Sequence, residues 1–511
     1  MMSIKLEIYT GTANQLEGWI MGPKPGFLLT ASLTLLLCSS AAAGDFMDMR
    51  LTWSLSDANL LASPGETADN TPGPHIGSDG SLGFFDNYET KYTGFETLGH
   101  LVLYKEFNSF FDYFSGDSAL FLGIQPNSGF ADEGSYIRVR YDWSKGTAEG
   151  KNLELTLFPL EADRLRLGYS YRISWGGSDI FQQNYGLVPG AKLQLNLPWG
   201  YAYAGFKTTI ISEYIDDTEQ TEQVANYGAL AGLGGDWQGF VLEMGGGYFT
   251  RGTFAHEGVR GRKLYTMGLS YQVGYHEGLD IGRSVDFELY RNDPYMEQRF
   301  FAPETYDEAV SFRIMHEGNF LRQPLEDPEQ LGELKMQMAW AFDINAAIKW
   351  GYWRLHLDAV ARSLSYILHE VPSFTPYQAF DSDAASRPEL WAAIGLDHHF
   401  PGPRLTPGIK FGIMRPATYW TDVFGGPRRV VVMNQMHRSI LPLQAEEHPI
   451  YTAKASLRWD FAEALAFVAE LYYSYDDNQI RYTQDFYGLN LYSVWADPHV
   501  LGFNLLAQAR Y

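Results

Sequence analysis

The chain has 511 residues, 45% hydrophobic and 15% aromatic, with 38 Lys and Arg against 61 Asp and Glu. That length suits one large architecture or two to three ordinary domains. A formal charge of −23 excludes a general nucleic-acid binder, which needs a basic surface. With 33 Tyr, 32 Phe and 13 Trp it is not a disordered acidic chain. Its single cysteine, Cys38, excludes a disulfide framework and any cysteine-built zinc or iron–sulfur site.

The N-terminus reads as an export signal. From Met21, Lys24 supplies a positive region, Phe27 to Leu37 a short apolar one, and Ala41-Ala42-Ala43 a small-residue cleavage site. Residues 1–20 read as an upstream extension. The expected boundaries are 1–43 for extension plus signal peptide and 44–511 for the functional domain. The mature chain then keeps 468 residues and no cysteine. Phe27 to Ala43 is the one stretch apolar enough to suggest a membrane helix, so a helical multi-span transporter is excluded.

The rest alternates with period two. Met47, Met49, Leu51, Trp53 and Leu55 alternate with polar residues. So do Leu165, Leu167, Tyr169, Tyr171, Ile173 and Trp175, and again Leu334, Met336, Met338, Trp340, Phe342 and Ile344. These are expected to be strands with one apolar and one polar face. At 9 to 12 residues they match the ~9–11 that a tilted strand needs to cross a bilayer. Further candidates lie near 135–143, 151–157, 189–197, 239–249, 262–274, 283–290, 350–362, 407–414, 453–461, 465–474 and 500–511.

Short turns are expected at Pro198-Trp199-Gly200, Asn345-Ala346-Ala347 and Ala462-Glu463-Ala464, and long polar connections at 56–97, 291–308, 363–389, 415–452 and 475–498. Short connections on one side and long ones on the other are typical of outer-membrane barrels. Tyr141, Trp143, Trp175, Trp199, Tyr201, Trp340, Trp350, Trp353, Trp459, Tyr472 and Tyr473 sit at strand ends, where interfacial girdles form. The fold class is therefore all-β: a transmembrane antiparallel β-barrel of about 16–18 strands in a single chain. In the last strand, Leu501, Phe503, Leu505, Ala507, Ala509 and Tyr511 share one face. Phe503, Leu505 and the terminal Tyr511 are expected to act as a barrel-assembly signal.

With these features the chain resembles bacterial outer-membrane β-barrels of porin type. It also resembles barrel proteins of myxobacterial type through FFDNYETKYTG (Phe84–Gly94), RLGYSYRISWGG (Arg166–Gly177), LYRNDP (Leu289–Pro294) and ASLRWD (Ala455–Asp460). The resemblance implies a fold and an outer-membrane location in a Gram-negative bacterium. It supplies no substrate and no functional residue.

Candidate functional residues are charges on strand faces that lipid would penalise. Arg138, Arg140, Arg164, Arg166, Arg172 and Lys192 form an expected basic ladder, with Asp142 and Glu154 among them. Arg354, His356, Asp358 and Arg362 share a face of another strand, and Asp286 and Glu288 lie on a third. The ladder reads either as a constriction selecting anionic or zwitterionic solutes or as a salt-bridge network bracing the wall. The acidic runs Glu213, Asp216, Asp217, Glu219, Glu222 and Glu326, Asp327, Glu329, Glu333 lack calcium-loop spacing and read as solvated loops. His256, His276 and His316 each begin a His-Glu-Gly that reads as a strand end or turn. Asp397 beside His398 and His399, or Asp358 near His356, could serve as a catalytic Asp–His pair, but a chain of this length offers such pairs by chance and enzyme signatures are missing.

The expected function is a porin-like channel for passive diffusion of small polar solutes, with no cofactor, no metal and no catalytic residue. Its expected partners are outer-membrane lipid, lipopolysaccharide and the barrel-assembly machinery, with the oligomeric state open. Connections 56–97 and 415–452 are the expected plug candidates. The alternatives are a barrel enzyme or adhesin with a plugged lumen, and a soluble secreted carbohydrate-active protein.

Overall fold

In the computed structural model, the described residues are 48–57, 60–61, 99–111, 113–125, 129–132, 134–143, 151–160, 162, 165–170, 173–176, 188–215, 220–254, 258–282, 306, 309–369, 384–422, 426–432, 438–484 and 491–510. They belong to one unit, Met47–Tyr511; the expected extension and signal peptide, 1–43, lie outside the described residues.

Alternating apolar and polar residues fold into antiparallel strands throughout. The first quarter holds β1 (Asp48–Asp57), β2 (Gly99–Phe111), β3 (Phe114–Gln125), β4 (Gly129–Asp132), β5 (Tyr136–Asp142) and β6 (Asn152–Phe158). Next come β7 (Gly190–Leu197), β8 (Gly200–Ile215), β9 (Gln220–Trp237), β10 (Phe240–Thr253), β11 (Lys263–Glu277) and β12 (Ser311–Glu326). Then follow β13 (Leu334–Trp350), β14 (Trp353–Arg362), a short helix α1 (Leu364–His369), β15 (Glu389–His398) and β16 (Leu405–Arg415). The last part holds β17 (Ala417–Thr421), β18 (Arg428–Val432), β19 (Arg438–Ile440), β20 (Ile450–Trp459), β21 (Leu465–Tyr475), β22 (Ile480–Gln484), β23 (Leu491–Trp495) and β24 (His499–Arg510).

Eighteen of these close a ring. Each pairs antiparallel with the preceding and following member, from β1 through β16 (with β4 a short extra strand on β3) to β20, β21 and β24. The ring shuts because β24 also pairs with β1, Arg50 opposite Arg510 through Asp57 opposite Phe503. Closure leaves no strand edge, which a bilayer requires. β17–β19 and β22–β23 form two small separate sheets within connections. Among the described residues no helix is long and apolar enough to cross a membrane.

The two faces of the ring differ as period two demands. Leu153, Leu155 and Leu157 on β6, Leu269 on β11, Ile394 on β15, and Ile409, Phe411 and Ile413 on β16 are exposed on the outside. Between them Glu154, Thr156, Ser270, Gln272, Asp397 and Lys410 are buried inside. Apolar-out and polar-in is the pattern of a membrane barrel and the reverse of a water-soluble one.

Several expectations are corrected. Leu165 to Trp175 is not a barrel strand. Its described residues lie between β6 and β7, joined to each other by one bridge, Leu167 opposite Trp175. Its apolar Leu165, Leu167, Ile173 and Trp175 are buried inside the ring rather than in lipid, and Ser170 and Ser174 of its polar face are buried there too. Asn345-Ala346-Ala347 is no turn but the middle of β13; the chain reverses at Gly351-Tyr352. Trp175, Tyr201 and Tyr472 are buried inside and are not girdle residues, whereas Tyr141, Trp143, Trp199, Trp350, Trp353, Trp459 and Tyr473 are exposed. His316 lies inside β12 rather than at a strand end. The expected strand at 283–290, most of 56–97, and Asp286, Glu288 and His256 lie outside the described residues.

The strand pairing also sorts the connections. Both described ends of the ring strands, Asp48 and Arg510, lie at one end of the barrel. There most connections are brief, such as Pro198-Trp199, Gln238-Gly239 and Gly351-Tyr352. The long connections 58–98, 159–189, 363–388, 416–449 and 476–498 all open at the other end. One connection breaks the rule: 278–310, between β11 and β12, is long and belongs to the short-connection end.

Candidate functional site

The interior of the ring is lined by paired charges. On β3, β5 and β6, Arg138 lies 2.7 Å from Asp117 and 3.9 Å from Glu154, and Arg140 Nε donates to Glu154 at 2.7 Å. Asp142 follows on the same face of β5, partly exposed. Lys192 Nζ on β7 donates to Gln194 at 3.0 Å. Across the barrel, Arg354 and His356 on β14 both reach Asp397 on β15, at 2.9 and 3.1 Å. Asp358 meets Lys410 Nζ at 3.1 Å and also binds Asn345. Arg362 forms a two-bond fork with Glu389, at 2.9 and 3.0 Å. Lys454 and Glu470, 3.4 Å apart, continue the pattern on β20 and β21.

The sequence-derived residues thus divide. Arg138, Arg140, Lys192, Arg354, His356, Asp358 and Arg362 sit on the inner face in two separate groups of neighbouring strands. Arg166 belongs to the β6–β7 connection, where its Nη2 donates to Ser174 O at 3.3 Å. Arg164, Arg172 and Tyr511 lie outside the described residues. Phe503 and Leu505 share the outer face of β24, half-buried. His356 pairs with Asp397 and not with its own-strand neighbour Asp358: Asp397 stands opposite Arg354, and His356 reaches it on the diagonal, across a register position of its own that holds only Gly395.

A second feature was not foreseen. The β6–β7 connection turns back into the barrel. Leu165, Leu167, Ile173 and Trp175 are all 0% exposed, and burying such side chains stabilises by about 1.5–3 kcal/mol each. Trp175 packs edge-on against the inward Phe249 of β10, ring centroids 5.5 Å apart. Glu317 of β12 accepts hydrogen bonds from the backbone N–H groups of Tyr169 at 2.6 Å and Ser170 at 2.8 Å. Asn319 Nδ2 and the Tyr366 hydroxyl of α1 both donate to Ile173 O. Lys207 Nζ of β8 donates to Gly176 O at 2.8 Å. Gly168 sits at φ +90°, where a side chain would also strike Glu317. The described residues of the connection are therefore tied to α1 and to β8, β10 and β12 on one side of the ring.

The long-connection end is capped from further on in the chain. Leu364, Ile367 and Leu368 of α1 bury themselves against Ala417, Val430 and Val432 of the β17–β19 sheet. Behind that sheet Arg429 lies over the Trp420 ring at 4.4 Å and reaches Glu447 at 3.2 Å. Arg387 joins Glu447 at 2.5 Å. Burial alone would raise the Glu447 carboxyl, but the hydrogen bond from Arg387 and the charge of Arg429 hold it below the usual carboxylate value. The expected plug 415–452 is in part this packed sheet.

Sequence reading missed Asp117, Lys207, Glu243, Glu317, Asn319, Arg313, Glu389 and Lys410. Most lie on strands whose faces are less cleanly sorted. On β12 the inward Arg313, Glu317, Asn319 and Gln323 alternate with an outer face that itself carries His316 and Arg322. Outward His316 is satisfied by Asp343 O and the Tyr271 hydroxyl, both at 2.9 Å. Glu243 accepts from the hydroxyls of Tyr201 and Tyr203. Among the described residues no three His, Cys, Asp or Glu side chains are placed to hold a metal ion.

No family model matches the chain, and no curated protein does. Among solved structures, the outer membrane protein OpdK of Pseudomonas aeruginosa is similar at 8% identity and TM-score 0.43, over 91% of this chain and 98% of its own. OpdQ of the same organism aligns at 10% identity and TM-score 0.40, over 91% and 96%. OccAB1 of Acinetobacter baumannii aligns at 10% identity and TM-score 0.41, over 91% and 95%. The barrel is defined by its own strand pairing.

Proposed function

We propose that the chain is an outer-membrane channel for passive diffusion of small polar solutes in a Gram-negative bacterium. The observation that carries this reading is the eighteen-strand ring with an apolar outside and a charged, hydrogen-bonding inside. A barrel of 16–18 strands is too wide for its own wall residues to fill. The route past the wall is lined in this reading by Arg138, Arg140, Arg166, Lys192, Arg354, His356, Asp358 and Arg362, with Arg164 and Arg172 on the inward connection. Because the wall arginines are held by carboxylates, their work is to brace the wall and present a balanced polar surface, not a bare positive field. No cofactor enters this mechanism.

Export by the 1–43 segment, insertion by the barrel-assembly machinery through Phe503, Leu505 and Tyr511, and contact with lipid and lipopolysaccharide belong to the same reading. So does the resemblance to barrel proteins of myxobacterial type, which supplies a location and no solute. The inward β6–β7 connection favours a second reading, a barrel blocked by its own loops that serves as an enzyme or adhesin. Liposome swelling separates the two. Proteoliposomes should swell in small sugars and amino acids; swelling no faster than protein-free liposomes would favour the blocked barrel.

A further inference from the structure

The connection that breaks the length rule also turns inward, from the opposite end to the first. After β11, Gly278 bridges to Phe312. Leu279 is buried, and Ile281 lies against Gly274, where a Cβ would strike it. Arg313 Nη1 donates to Asp280 O at 3.0 Å, and Gln272 Nε2 donates to Gly282 O at 2.9 Å. Arg313 and Gln272 are themselves buried on the inner faces of β12 and β11. The five residues therefore run back along the inner wall as far as Gln272, which is opposite Glu317 in the β11–β12 register. Glu317 is the carboxylate that grips Tyr169 and Ser170 of the first connection. At that level Gly282 lies against the Tyr169 ring so closely that a Cβ on it would overlap the ring.

We infer that Gly278–Gly282 is a strap that fixes the aperture: it occupies the wall beneath Tyr169, keeps the ring from settling onto β11 and β12, and so narrows the passage. This rests on the channel reading above. Arg313 and Gln272 are positioning residues for the strap. Glu317 holds the backbone of the loop tip while the strap props its side chain, so the narrow point is set from both ends of the barrel. The solutes admitted are then small polar molecules that can pass the Tyr169 ring, and larger sugars are excluded.

The chain has one cysteine, Cys38, so a Tyr169→Cys/Gly282→Cys protein spanning residues 44–511 has no competing thiol. A short bis-maleimide should link the two cysteines within one folded chain, read by mass spectrometry after proteolysis. Separately, Arg313→Met/Gln272→Leu removes both anchors. Its proteoliposomes should swell several-fold faster in di- and trisaccharides while monosaccharide rates change little. If that variant does not fold, replacement of 279–309 by Asn-Gly, a compact hairpin turn, removes the strap outright. No cross-link in the folded barrel overturns the proposal. So does an unchanged saccharide profile in a variant whose heat-modifiable gel mobility shows it folded. If wild-type liposomes admit no solute, the channel reading has failed and the aperture proposal with it. If they admit monosaccharides and the variants do the same, only the aperture proposal has failed.

Discussion

At the scale of single residues the interior is governed by pairing. Arg362 and Glu389 make a two-bond fork on adjacent strands, and Glu389 is 0% exposed. Removing one partner of such a pair strands a buried charge, which costs about 3–5 kcal/mol, whereas replacing both by apolar residues costs little. Arg362→Met should therefore lower barrel stability by about that amount. Arg362→Met/Glu389→Leu should recover most of it, measured by urea unfolding in lipid. Equal losses in both variants would mean that the fork itself, and not the stranded carboxylate, sets the cost. Arg362 was legible in the sequence as a charge on a polar strand face. Glu389 was not, because 26 residues separate them and the pairing depends on where β15 begins after the connection. The same holds for Glu317, whose partners Tyr169 and Ser170 lie far upstream.

Single elements show why some strands were readable and others were not. β5, β6, β7 and β14 have outer faces of apolar residues and inner faces of charges or amides, and alternation marks them plainly. β8 and β9 hide because the inner face is aromatic or small over the first part of β8 and the stretch of β9 opposite it, and Lys207, Thr209 and Asn226 come only further along. Tyr201 and Tyr203 turn inward over Gly234 and Gly232, so neither face is polar along that stretch. The β6–β7 connection misleads in the opposite sense, since apolar residues that pack inside the ring, with hydrogen-bonded polar residues between them, alternate as a strand does. The outer face carries a direct test. Leu269 is 67% exposed in the middle of β11, between the aromatic Tyr265 and Tyr275 on the same face. In a bilayer, Leu269→Arg should destabilise the folded barrel by about 2–4 kcal/mol, read by denaturant titration in phospholipid vesicles. A cost near zero would place that face in water.

Across the whole molecule, the arrangement of connections was legible in kind but not in count. The length contrast between the two ends follows from long polar stretches visible in the sequence. The strand number could not be fixed while 165–175 was counted as a strand and β2, β3, β8, β9, β12 and β15 were not. The 278–310 connection adds to the confusion, since a long segment at the short-connection end shifts the apparent up–down parity. Charge is also unevenly placed. By sequence, the nine connections at the long end carry 28 Asp and Glu against 11 Lys and Arg, so most of the net −23 belongs to those connections and little of it to the paired strands. At that end lie the α1 and β17–β19 cap and the inward β6–β7 connection, while Gly278–Gly282 enters from the other end. A channel needs a passage to remain between them. Planar-bilayer recording of residues 44–511, refolded in detergent, tests this most directly. Small, stepwise conductance that rises with salt concentration is the predicted result. A folded, heat-modifiable barrel that inserts into the bilayer and passes no current would contradict it.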